Sequence, residues 1–202
     1  MGKIILSGAT AYISTSIDYL IILMLIFSQV RSHKQRWAVY LGDLLGTGTL
    51  VLAALILAFI LHLVPAEWVL GILGIIPILM GLKLLIKGEE DTDDIVHETI
   101  SSQRGLMLNV ATITIATCGA DNIGIYVPFF VTLSPSAIVI VLLTFLVMLT
   151  LFFIAGYSLV KVPIIAGILE KYGRWLTAAV YILIGLYIMV ESGTLTKFLS
   201  LI

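Results

Sequence analysis

The sequence predicts an all-α integral membrane protein: six transmembrane helices arranged as two inverted three-helix repeats, with both termini outside the cytoplasm. Three observations predict it. The composition is too apolar for a water-covered surface, six apolar segments have spanning length, and the basic residues gather on alternate loops. Of 202 residues, 60% are hydrophobic and 11% charged, whereas a soluble domain has about 45–50% and about 25%. So few charges cannot cover a surface facing water, so the solvent is lipid. The net charge of −1 says little by itself; the placement of charges says more.

A spanning helix needs roughly 20 mainly apolar residues. The first candidate is Ile4–Ser28. Only Lys3 precedes it, it exceeds a signal-peptide core in length, and it carries Asp18, so it reads as a retained helix. The basic loop Arg31-Ser-His-Lys-Gln-Arg36 leads to the second, Ala38–Leu63, and a turn at Pro65-Ala-Glu67 leads to the third, Trp68–Ile86. A polar loop from Lys87 to Arg104 precedes the fourth, Leu106–Leu133. A turn around Ser134-Pro-Ser136 starts the fifth, Ala137–Val160, and a loop from Lys161 to Arg174 precedes the sixth, Trp175–Val190. No segment between them is long enough to fold alone in water. Residues 1–202 therefore read as one transporter domain: repeat one at 4–87, a cytoplasmic loop at 88–105 and repeat two at 106–192.

Orientation follows from the excess of Lys and Arg on cytoplasmic loops. Nine of the eleven basic residues, from Arg31 to Arg174, fall on or beside loops one, three and five, leaving Lys3 and Lys197 for the other side. The internal repeat follows from laying Asp18 over Asp121, which aligns 12–18 with 115–121. A nearly equal offset lays Ile78–Leu82 over Ile182–Leu186. Each half has an odd number of helices, so the halves are inverted. In that architecture the substrate sits near the midplane where the halves meet.

The charges well inside apolar segments are Asp18, Asp43 and Asp121. A charge at the bilayer centre costs about 2.5–3.5 kcal/mol on insertion scales, and such residues mark ion pathways. Two arrangements relieve the cost: a protonated acid bonded to a neighbouring helix, or an ionised one beside a cation. No Lys or Arg lies at comparable depth, which favours a transported cation. Thr114, Thr117, Cys118 and Asp121 share one face of the fourth helix, with Asn122 beside them. Pro128 frees the carbonyl of Gly124, and Gly119 and Gly124 ease local unwinding or close packing. Ser7, Thr10, Ser14 and Asp18 form a stripe on the first helix; Tyr40, Asp43 and Thr47 form one on the second. Gly42, Gly46 and Gly48 read as packing residues. The single cysteine excludes an internal disulfide and dithiol redox chemistry. Beside carboxylates, its sulfur suits a soft or borderline divalent metal, Cd²⁺ or Zn²⁺, rather than Mg²⁺ or Ca²⁺. The metal-ligand candidates are thus Asp18, Asp43, Thr117, Cys118, Asp121 and Asn122.

His33, His62 and His97 read as interfacial or solvated. The acidic run Glu89 to Asp94, with Glu98, reads as a solvated loop. The chain has no phosphate-binding glycine motif of the ATPase type, so ATP is not the energy source, and nothing marks an enzyme, a resident cofactor or a nucleic-acid partner. The partners expected are a divalent metal, protons and the bilayer, with a homo-oligomer left open. Export of another small cation or an amino acid on the same fold, or an accessory membrane role, are the alternatives.

The string Thr117-Cys-Gly-Ala-Asp-Asn122 and the following Val127-Pro-Phe-Phe-Val-Thr132 closely resemble the CadD-type cadmium resistance transporters of bacteria. So do residues 12–18, Trp68 to Pro77, and Arg174-Trp175. The resemblance implies a six-helix exporter of the lysine-exporter superfamily in the bacterial plasma membrane. It also implies efflux of Cd²⁺, for which proton antiport is the natural coupling.

Overall fold

The computed structural model describes residues 1–61, 71–87 and 105–194; of those, the side chains of Asp18, Lys87, residues 163–171 and Arg174 are also left undescribed. Among the described residues the secondary structure is helical with no strand. The six helices are α1 (Gly2–Gln29), α2 (His33–Leu61), α3 (Ile75–Lys87), α4 (Leu106–Val131), α5 (Pro135–Leu159) and α6 (Pro163–Glu191); a 3-10 turn, Gly71–Gly74, precedes α3.

Local chemistry sets several boundaries. Ser32 and Gln35 form a capping box at the start of α2: Gln35 N–H donates to Ser32 Oγ at 3.1 Å and Ser32 N–H to Gln35 Oε1 at 2.9 Å. Ser134 caps α5, accepting from Ala137 N–H, with Pro135 in the first turn. Gly193, at φ 69°, ends the chain's run past α6 in the left-handed conformation that glycine adopts freely.

Two boundaries depart from the sequence reading. The expected loop from Lys161 to Arg174 is helical from Pro163 onward. A proline in the first turn is preorganised for a helix, while Glu170, Lys171 and Arg174 hide that turn from an apolar-run criterion. The described part of the third segment enters through a 3-10 turn that leads into a short helix; residues 62–70, including Trp68, lie outside the described residues.

Helices α2, α4 and α5, with 29, 26 and 25 residues, are long and apolar enough to cross a bilayer. A fourth candidate is α1, as a bent pair whose arms Gly2–Ile17 and Tyr19–Gln29 meet at 59° with Asp18 between them. Ser14 donates to the Ala11 carbonyl at 2.7 Å, and Thr15 to those of Ala11 and Tyr12 at 3.4 and 3.2 Å. Such back-bonding bends helices. Apolar runs Gly71–Ile86 and Trp175–Glu191 are shorter. The outer faces are apolar: Leu52, Phe59, Leu143 and Val147 are 58%, 72%, 61% and 58% exposed, while Ser14, Asp43, Asn109 and Thr114 are buried. This inversion of the soluble pattern fits lipid as solvent.

Packing fixes relative directions. Helix α2 runs parallel to α4: Gly42 lies on Met107 and Val110, Gly46 on Thr114, and Gly119 near Leu50. A Cβ at Gly46 would lie 2.6 Å from Thr114 Cβ, so only glycine permits this approach. Gly48, also expected to pack, has nothing within 4 Å and is exposed; it sits on the opposite, outer face. Helix α1 runs parallel to α5, through Gly8 on Val141, Tyr12 on Phe145 and Phe27 on Phe153, the two ring pairs at 5.5 and 5.2 Å. Helices α3 and α6 are antiparallel. A Cβ at Gly81 would meet the Ala178 carbonyl and Ile182; one at Gly185 would meet the Gly74 carbonyl and Ile78. Each contact is the other with the two helices exchanged, in the register that lays 78–82 over 182–186.

Candidate metal-binding site

The polar interior lies where α1, α2 and α4 meet. Helix α4 carries Thr114, Thr117, Cys118, Asp121 and Asn122 over successive turns, as the spacing requires. Thr114, Cys118 and Asn122 are buried; Thr117 and Asp121 are half-buried. The helix passes unbroken through Pro128. Of the two expected uses of Gly124, local unwinding or close packing, the structure shows close packing, against the Met80 side chain of α3.

Each hydroxyl on this face has committed its proton. Thr114 Oγ1 donates to the Val110 carbonyl at 3.0 Å and Thr117 Oγ1 to that of Ile113 at 2.8 Å. Their oxygens are left as acceptors. Thr117 Oγ1 lies 3.6 Å from Cys118 Sγ, so the thiol is the donor in that pair. The Tyr19 hydroxyl of α1 is hydrogen-bonded to Thr114 Oγ1 at 2.7 Å. Tyr126 donates to Thr15 Oγ1, also at 2.7 Å, because Thr15 spends its own proton on its helix. These two bonds tie α1 to α4 in antiparallel sense. Ser7, Thr10 and Ser14, expected to line a site on α1, donate to Ile4, Leu6 and Ala11 carbonyls of their own helix.

Asp43 on α2 is 1% exposed. Thr47 Oγ1 donates to its Oδ1 at 3.2 Å, and the Tyr19 ring hydroxyl lies beside the carboxyl group. Its Oδ2 is buried with no hydrogen-bond partner among the described residues, and the same holds for Asn122 Oδ1. Both orphans are acceptors, and a buried acceptor without a donor needs an explanation. The Tyr126 hydroxyl is within electrostatic reach of Cys118, Asp121 and Asp43 together.

The structure thus gathers Thr117, Cys118, Asp121 and Asn122 on one helix and Asp43 on the helix packed along it. The side chain of Asp18 lies outside the described residues, though its backbone falls at the bend of α1. Among the described residues no group of three His, Cys, Asp or Glu side chains converges to hold a metal ion. The sequence reading missed Thr15, Tyr19 and Tyr126. Their signal was a tyrosine inside an apolar helix, since a buried phenol needs a partner for its hydroxyl.

Of the polar atoms on this face only the Cys118 sulfur is a soft donor; the carboxylate, amide and hydroxyl oxygens are hard ones. No curated protein and no solved structure matches the chain. The sequence profile for cadmium resistance transporters does, over residues 12–201, and the chain therefore belongs to the cadmium resistance transporter family.

Proposed function

We propose that this transporter exports Cd²⁺ from the cytoplasm by secondary transport, with Zn²⁺ as the neighbouring substrate. Family membership makes it a cadmium resistance transporter embedded in a membrane; direction, coupling and ligands are the proposal. The observation that motivates the ligands is that Asp43 Oδ2 and Asn122 Oδ1 are each a buried acceptor without a hydrogen-bond partner among the described residues. A cation supplies what such oxygens lack.

Six transits in two inverted halves account for the packing directions. With α1 entering from outside, α1 and α5 run inward together and α2 and α4 outward together, while α1/α4 and α3/α6 oppose. Exchanging α1–α3 with α4–α6 leaves that pattern unchanged, and the reciprocal contacts of Gly81 and Gly185 follow the same exchange. In this arrangement the metal enters past Asp43, near the cytoplasmic end of α2. It then binds deeper, among Asp18, Thr117, Cys118, Asp121 and Asn122. Protons bound to the carboxyl and thiol groups leave as the metal arrives, and protons from outside displace it on release. That exchange is H⁺ antiport across a bacterial plasma membrane.

Cadmium tolerance of cells expressing variants tests the reading. Asp43→Asn and Asn122→Leu are expected to lose tolerance while inserting normally. Full tolerance in both would assign these side chains a structural role.

A further inference from the structure

The geometry points to a binding site for an anionic phospholipid between the first turns of α2 and the last turns of α5. A cavity of about 360 Å³ opens there, lined by His33, Arg36, Trp37, Phe153, Ile154 and Tyr157 among others. That size lies within the range of small-ligand sites, about 300–1,000 Å³. Its walls are mostly aromatic and aliphatic, and among the described residues no acidic side chain lines it.

Its charged end holds cations that nothing described neutralises. The Arg36 guanidinium stacks 4.8 Å from the centre of the Tyr157 ring, and Lys161 Nζ lies 4.9 Å from the same centre. Two like charges on one ring repel unless an anion joins them. Among the described residues Arg36 Nε is buried with no hydrogen-bond partner, a donor awaiting an acceptor. The first turn of α2 contains no acid, so His33, Lys34 and Arg36 crowd the positive end of the helix dipole, where an anion is favoured and a cation is not. Arg31 and Lys34 are exposed beside it and add to the positive field.

The occupant must pair a phosphate with an apolar tail. The phosphate accepts from Arg36 at the mouth, as basic pockets between membrane helices hold lipid headgroups. The acyl chain lies along Phe153 and Ile154, and Trp37, 55% exposed, sits at the headgroup level where indole rings gather. The site depends on the chain lying in a bilayer and not on what it transports.

Native mass spectrometry of the full chain, titrated with phosphatidylglycerol or phosphatidylcholine of matched chains, tests it. Wild type is expected to retain one phosphatidylglycerol at about tenfold lower concentration than phosphatidylcholine, the gain from one charge-assisted bond. Arg36→Gln should abolish the preference. Arg36→Lys should weaken it, because lysine lacks the Nε donor and the planar stacking group. Arg31→Gln should leave it intact. Ile154→Trp keeps both cations but fills the tail channel, and should lose the lipid with the charges untouched. Equal retention of both lipids by wild type would overturn the assignment. So would loss of the preference in Arg31→Gln as complete as in Arg36→Gln, which would mark diffuse attraction by the loop. Inorganic phosphate held with the same dependence on Arg36, and without lipid, would make the cavity a soluble-anion site and overturn it too.

Discussion

Tyr19 on α1 and Thr114 on α4 are joined hydroxyl to hydroxyl by a hydrogen bond of 2.7 Å, and Thr114 Oγ1 also donates to the Val110 carbonyl of its own helix. That single bond joins the helix carrying Asp18 to the helix carrying Cys118 and Asp121, and the Tyr19 hydroxyl also lies beside Asp43. Hydrogen bonds between membrane helices contribute on average about 0.6 kcal/mol and at most about 1.7. A double-mutant cycle of Tyr19→Phe and Thr114→Val, read by thermal unfolding in detergent, should give a coupling of that size. The transport rate should fall by a larger factor than so small a stability loss accounts for, because the bond orients the site. A coupling of zero would mean that the two groups do not interact in the folded protein.

The glycine stripe of α2 makes a paired prediction. Gly46→Val must push α2 away from Thr114, and overpacking of this kind costs about 1–3 kcal/mol. Gly48→Val faces open space, so it should stay within about 0.5 kcal/mol of wild type. Melting temperatures of the two purified variants decide it; equal losses would contradict the face assignment.

Most of the fold was legible because apolar length is a strong signal. The first, second, fourth and fifth segments match helices to within five residues at each end. What failed were places where tertiary or capping chemistry overrides hydropathy. Pro163 starts α6 well before its apolar part, and the glycines at 71 and 74 tighten the approach to α3 into a 3-10 turn. Within the site, the placement of Asp43 inside an apolar helix and the shared face of Thr114, Thr117, Cys118 and Asp121 were readable from spacing. The Thr15–Tyr126 and Tyr19–Thr114 bonds were not, because they join residues roughly a hundred positions apart and depend on how helices pack. Gly42 and Gly46 read correctly as packing residues; Gly48 did not, since sequence spacing alone does not say which side of α2 meets α4.

Orientation is testable by cysteine accessibility in a Cys118→Ala background. A cysteine at position 136 should react with an impermeant maleimide added outside intact cells, and one at position 32 should react only after the membrane is permeabilised. The reverse pattern would invert the proposed topology and with it the direction of entry past Asp43.

Cys118 separates selectivity from transport. Cys118→Ser keeps size and polarity but removes the soft donor, and soft cations depend on it more than hard ones. Isothermal titration should show Cd²⁺ affinity falling by about tenfold or more, as for loss of a metal ligand or its support, with Mn²⁺ binding little changed. Because the thiol must lose its proton to ligate, wild-type Cd²⁺ affinity should also weaken as pH falls, and the serine variant should lose part of that dependence. Unchanged Cd²⁺ affinity would make Cys118 a packing residue.

The proposed route of Cd²⁺ runs through carboxylates at the junction of α1, α2 and α4. Its most direct test is Cd²⁺ flux into proteoliposomes of defined orientation, followed with an entrapped metal-sensitive dye under an imposed proton gradient. Wild type is expected to move Cd²⁺ rapidly and Asp121→Asn not above the protein-free background, with the variant eluting as a folded, monodisperse species. Wild-type flux in Asp121→Asn, or no proton dependence in the wild type, would contradict it.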